Sequence, residues 1–119
     1  MNKERKTINV DGKKHIVFPL HTEFGDVEVI LVKGEYANDG SLAIEVMEVE
    51  NDQVVDSFTT LTTYVNPFLQ SSTDAFVDTN NNPWAEKFIK ENRLGKFTGD
   101  RCGGGFCLYP LYTFDVTKF

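Results

Sequence analysis

Basic residues are almost missing from the middle of this sequence. Between Glu23 and Asp78 one lysine, Lys33, stands against twelve acids, so that segment carries a formal charge of −11. The flanks run the other way, +3 over the first 22 residues and +2 over the last 41, which brings the chain of 119 residues to −6. Affinity for phosphate comes from clustered Lys and Arg, and with a pI near 4.8 the chain is not expected to bind nucleic acid directly. Lys3–Lys6 and Lys13-Lys14 are too small to offset the middle segment.

Long apolar runs are missing too. Nothing approaches the roughly 18–20 residues of a membrane-spanning helix, and the N-terminus has no apolar core of a signal peptide, so the reading is a cytoplasmic protein. Cysteine is scarce. Cys102 and Cys107 are too few for a disulfide framework. Histidine is limited to His15 and His21, which leaves no recognisable pairing of nucleophile, base and orienting acid. Repeats are absent, and Asn80-Asn81-Asn82 is the nearest thing to a low-complexity tract.

What is present argues for one folded domain. Hydrophobic residues make up 40%, and the fifteen aromatics, ten of them Phe, are more than a disordered acidic chain carries. Only residues 1–6 read as a flexible arm, leaving residues 7–119 as a single domain. Thr7–Val10 and His15–Leu20 flank Asp11-Gly12, a hairpin signal. Val27–Val32 reads as a central strand and Leu42–Val49 as an alternating one, with a reversal at Glu50–Gln53. Val54–Val65 has seven β-branched residues among twelve and reads as one long strand. Phe106–Val116 reads as a last, aromatic strand with Pro110 at an edge or bulge. One helix is expected over residues 83–94. Asn82 would cap it, Pro83 open it, Trp84, Ala85, Phe88 and Ile89 form its apolar stripe, and Gly95 stop it. These elements predict an α+β domain: a single antiparallel sheet of five or six strands with the helix packed on one face.

Three motifs resemble sites of chemistry. Cys102-Gly-Gly-Gly-Phe-Cys107 has the spacing of half a zinc clasp, but a second pair of ligands would have to come from His15 and His21, far upstream. A flexible glycine turn feeding a strand, with inert thiols, is the favoured explanation, and no metal or cofactor is expected. The same glycines do not make a phosphate loop, because Gly105 is followed by Phe106 rather than Lys-Ser. Asp78-Thr-Asn80-Asn-Asn82 opens like a calcium loop, but Pro83 and Ile89 stand where Gly and Glu are required.

The acids remain. Glu45, Glu48, Glu50, Asp52 and Asp56 fall within twelve residues around one hairpin turn, and Glu23, Asp26, Glu28, Glu35 and Asp39 extend the set. They either keep the chain soluble or face a basic surface, including one that normally holds nucleic acid. Tyr36 is the aromatic expected to anchor such a contact.

Three stretches, Ala75-Phe-Val-Asp-Thr-Asn-Asn-Asn-Pro-Trp84, Asn92-Arg-Leu-Gly95 and Gly105-Phe-Cys-Leu-Tyr-Pro-Leu-Tyr-Thr-Phe114, together with the Thr-rich Thr59–Thr63, carry a resemblance. They are similar to a family of small bacterial proteins of unknown function from Firmicutes, conjugative elements and phages. The resemblance covers about Leu42–Phe114 and implies a shared fold and a mobile-element setting, with no activity attached. Residues 7–40 and the Cys102 glycine insertion lie outside it.

The function expected from these readings is non-enzymatic. An acidic inhibitor would occupy the basic, nucleic-acid-binding surface of a host defence protein of the CRISPR or restriction kind, with Glu45, Glu48, Glu50, Asp52, Asp56, Asp26, Glu28 and Tyr36 as contacts. The alternatives are a small metal- or ligand-binding module built on Cys102 and Cys107, or an accessory protein whose acids only solubilise it.

Overall fold

The computed structural model describes residues 6–36, 40–65, 72–103 and 108–119. Strands dominate it. Thr7–Val10 (β1) and Lys13–Ile16 (β2) form a hairpin whose two-residue turn places Asp11 and Gly12 at φ 52° and 80°. Those angles suit a right-twisted hairpin, and Asp-Gly accepts them cheaply. Phe18–Thr22 (β3), Gly25–Glu35 (β4), Leu42–Glu50 (β5) and Gln53–Thr60 (β6) follow as an antiparallel meander in that order. Its last turn uses Asn51 and Asp52, again at positive φ, 53° and 63°.

A second four-stranded sheet is built from Thr62–Thr63 (β7), Asp74–Val77 (β8), Gly95–Cys102 (β9) and Tyr109–Phe114 (β10), in the order β7-β8-β10-β9. One helix, Ala85–Glu91 (α1), and a 3-10 turn at Val116–Lys118 complete the described chain. The described residues are therefore mostly β, forming two four-stranded sheets and a hairpin. The expected single sheet with a main helix over 83–94 is not what forms.

The physical reasons are specific. The stretch expected as one strand over Val54–Val65 breaks at Leu61, which is fully buried and serves both sheets. Its N–H donates to the Ile44 carbonyl of the first sheet at 2.9 Å, and its carbonyl accepts from Asp78 N–H beside the second, also at 2.9 Å. β-branched content sets strand propensity, not which sheet a strand joins. The register of β6 against β5 also slips twice, between Val46 and Met47 and between Glu48 and Val49, as β-bulges do at sheet edges.

The helix is shorter than expected because its two signals are used elsewhere. Asn82 is buried and clamps β6: its Nδ2 donates to the Thr60 carbonyl at 2.9 Å and its Oδ1 accepts from Thr59 Oγ1 at 3.0 Å. The N-cap is Trp84, with no side-chain cap bond. At the other end Arg93 takes the left-handed position at φ 53°. Leu94 N–H reaches the Ile89 carbonyl at 3.0 Å and Arg93 N–H the Lys90 carbonyl at 3.2 Å, the paired bonds of a Schellman stop. Gly95 instead opens β9 against β10, where a Cβ would lie 2.6 Å from the Thr113 carbonyl oxygen.

Two cores hold the layers together. The main one joins Phe18, Val29, Leu31, Ile44 and Val46 of the first sheet to Leu61, Val77, Phe88, Ile89, Tyr112 and Phe114. A smaller one, Ile8, Val17, Ile30 and Val49, fixes the hairpin to the opposite face of the first sheet. Of the expected arm, residues 1–5 lie outside the described residues. Lys6 is anchored: its carbonyl accepts from Val17 N–H at 2.8 Å, and its ammonium lies 2.7 Å from Asp52 and 3.7 Å from Glu28.

Candidate functional site

Because successive strand residues face opposite ways, the acids of the first sheet do not form one patch. Val49 belongs to the hairpin-side core, so Glu48 and Glu50 project from the other face. Glu48 lies in register between Val29 and Asp56, and Val29 belongs to the main core. Glu48, Glu50 and Asp56 thus share the face that carries α1. Glu28, opposite Val49, sits on the hairpin side. There Lys6 bridges it to Asp52, and the hydrogen bond to Asp52 is the main cause holding that ammonium above its usual range.

Glu45 has a structural contact: Thr60 Oγ1 donates to its Oε1 at 2.6 Å. Asp26 pairs across the β3–β4 hairpin with His21 at 2.9 Å, both largely exposed. Tyr36, expected as an exposed anchor, is half-buried. Its hydroxyl lies 3.0 Å from Thr62 Oγ1, and its ring meets Tyr64 edge-on at 5.3 Å. Burial, above all, raises its phenol pKa.

An aromatic cleft supplies what Tyr36 does not. The β3–β4 turn is closed by Thr22, whose Oγ1 accepts from Phe24 N–H at 3.1 Å and donates to the Gly25 carbonyl at 2.9 Å. That turn leaves the Phe24 ring 94% exposed. Beneath it is a cleft of about 480 Å³ lined by His21, Glu23, Phe58 and Trp84, among others. Phe58 is 36% exposed, and its ring tilts against Trp84 at 6.2 Å. Trp84 packs against the main core, so the cleft opens on the same face as Glu48, Glu50 and Asp56. The signal in the sequence is a large aromatic in a two-residue turn, Thr-Glu-Phe-Gly.

A second concavity lies on the far sheet. About 630 Å³ is enclosed by Lys90 and Arg93 at the end of α1, Gly95, Lys96 and Phe97 of β9, Tyr112 and Phe114 of β10, and Asp115 and Lys118. Phe97 is 39% exposed, with the Arg101 guanidinium 4.6 Å from its ring centre. Tyr112 hydroxyl donates to Glu86 Oε2 at 2.6 Å; burial, followed by that bond, pushes its phenol far above the ordinary value. Asp115 accepts from Thr117 through both hydroxyl and backbone N–H, and the hydroxyl contact is the main cause of its lowered pKa.

Cys102 is a free thiol on β9, and Cys107 lies outside the described residues. His15 is buried with Nδ1 3.2 Å from the Leu31 carbonyl, while His21 is engaged with Asp26. Among the described residues, no three His, Cys, Asp or Glu converge to hold a metal. Asp78 closes its own turn, accepting from Asn81 N–H at 3.1 Å and Asn81 Nδ2 at 2.8 Å, as a turn leading into a helix requires. Among the described residues, no helix is long and apolar enough to cross a membrane.

Residues 30–119 match the family described as Domain of unknown function (DUF4313), and the chain belongs to that family. No curated protein and no solved structure matches it. The match begins within β4, so the groove on the second sheet lies inside the matched span and the Glu23-Phe24 tip before it.

Proposed function

We propose that this chain is a non-enzymatic binding protein that docks through the acidic, aromatic face of its first sheet onto a basic surface of another protein. A surface that normally holds nucleic acid is the partner favoured by charge, since carboxylates set along a strand can occupy cation positions otherwise taken by phosphates. A mobile element or phage is the proposed setting, and inhibition of a host defence protein of the CRISPR or restriction kind is the proposed outcome.

The observation that carries this reading is the coincidence of Phe24, Phe58 and Trp84 with Glu48, Glu50 and Asp56 on one face. Interfaces draw most of their affinity from a few aromatic or arginine anchors that fill pockets, while complementary charge mainly sets association rate and partner choice. Glu48 and Asp56 also stand directly opposite one another, a like-charge pairing that costs stability, and the bond Asp56 makes is a local one, accepting from Ser57 N–H at 2.8 Å.

Affinity capture from nuclease-treated host lysate tests the proposal. The comparison is wild type against Glu48→Lys/Glu50→Lys/Asp56→Lys, which spares Glu45 and Asp52 because both bond to side chains of other segments, Thr60 and Lys6, whereas Asp56 bonds only its neighbour's N–H. Wild type should retain a nucleic-acid-handling protein that elutes with salt, and the variant should lose it. Equal capture by both would sink the proposal.

A further inference from the structure

The groove on the second sheet is built from cations whose grouping helix physics explains only in part. Lys90 and Arg93 sit at the C-terminal end of α1, where positive charge complements the helix dipole. Lys118 ends the closing 3-10 turn, a short element with little dipole, and Lys96 comes from β9, where no helix dipole accounts for it. Among the described residues none of the four makes an ion pair. One acid, Asp115, lines the same groove, and its carboxylate is already taken up by the hydroxyl and backbone N–H of Thr117. Phe97, Tyr112 and Phe114 supply an apolar floor. The site suits an acidic segment that carries an exposed aromatic ring.

This chain presents such a segment. The β3–β4 tip reads Glu23-Phe24-Gly25-Asp26, with an almost wholly exposed ring between two carboxylates. We propose that the occupant of the groove is the tip of a second copy, with Phe24 seated over Phe97 and with Glu23 and Asp26 among Lys90, Arg93, Lys96 and Lys118. The net charge of −6 does not forbid the contact: at physiological salt the screening length is about 8 Å, short against a molecule 40 × 31 × 31 Å across, so local complementarity governs. Tip and groove are different surfaces, so the association is head-to-tail. It closes into a ring or grows open-endedly, according to the rotation between copies. The inference rests on the reading of the tip as a partner-binding element and names one partner for it.

Sedimentation velocity from about 10 µM to about 1 mM, a range suited to weak interfaces, reads the association directly. Mean mass should rise with concentration at physiological salt, where the repulsion between net charges is screened, and fall back as salt is raised toward about 1 M. Phe24→Ala should weaken the association by about tenfold or more, the size expected for a buried aromatic anchor, and the exposure of Phe24 makes this variant harmless to folding. Two charge reversals complete the test: Glu23→Lys/Asp26→Lys on the tip and Lys96→Glu/Lys118→Glu in the groove. Each should abolish self-association alone, and mixing the two variants should restore a complex between them. The groove variant should still capture a basic host protein, which separates this proposal from the preceding one. A monomer at every concentration would overturn it, as would self-association that survives all three changes.

Discussion

Gly95→Ala decides between two roles for one glycine. The sequence reads it as a helix stop, where the cost of alanine is that of a strained left-handed residue, about 1 kcal/mol. The structure gives it a negative or extended φ and a place where β9 meets β10 too closely for a side chain. A Cβ there lies 2.6 Å from Thr113 O and 3.2 Å from Phe114 Cα, both backbone atoms that cannot swing aside. Relief requires the two strands to part, while Phe114 is held in the main core and Asp115 N–H donates to the Leu94 carbonyl at 2.8 Å. Overpacking of this kind costs about 3 kcal/mol. For a domain of this size that lowers Tm by roughly 12 °C, since unfolding entropy is near 2.1 cal/mol/K per residue. Urea titration and thermal melting by circular dichroism would both read it. A loss of 1 kcal/mol or less would refute the close-approach argument.

Arg93→Gly should do the opposite, stabilising by about 0.5 kcal/mol because glycine carries no penalty at φ 53°; a differential melt against wild type checks the sign. Asp56→Asn removes the repulsion across from Glu48 and should raise stability by about 0.5 kcal/mol at low salt, an increment that fades at high salt while partner capture weakens. Tyr112 has a raised folded-state pKa, so the unfolded chain ionises first as pH climbs past the ordinary value of 10.0. Stability held below that pH is therefore lost above it, and Tyr112→Phe should flatten the alkaline decline in a melt series from pH 8 to 11.

Local chemistry was legible in the sequence, and long-range choices were not. Asp11-Gly12 and the reversal after Glu50 announce their hairpins because turn geometry is decided within two residues. Nothing in Val54–Val65 says that Leu61 passes from one sheet to the other, since both partners, Ile44 and Asp78, are distant in the chain. Asn82 and Gly95 carried honest helix signals that tertiary contacts put to other uses, and Arg93 took a left-handed position that composition does not flag. The charge asymmetry was visible from a count of residues. Its division between two faces was not, because a strand's pleat assigns faces only once its partners are known. The groove brings together residues from 90 to 118 on four elements, and the excess of bases in the last third was its sole trace.

Leu61 also has a mechanical consequence. The strand that carries Asp56 and Phe58 continues through Leu61 into the sheet that carries the cationic groove, and the backbone of that residue is bonded to both sides. The first strand of the second sheet is also tied to the first sheet, since Ile44 N–H donates to Thr62 Oγ1 at 3.2 Å, so parting the sheets breaks bonds on both sides of Leu61. Slow amide exchange at Leu61 and Asp78 should therefore report a single cooperative event, so the acidic face and the basic groove persist or vanish together.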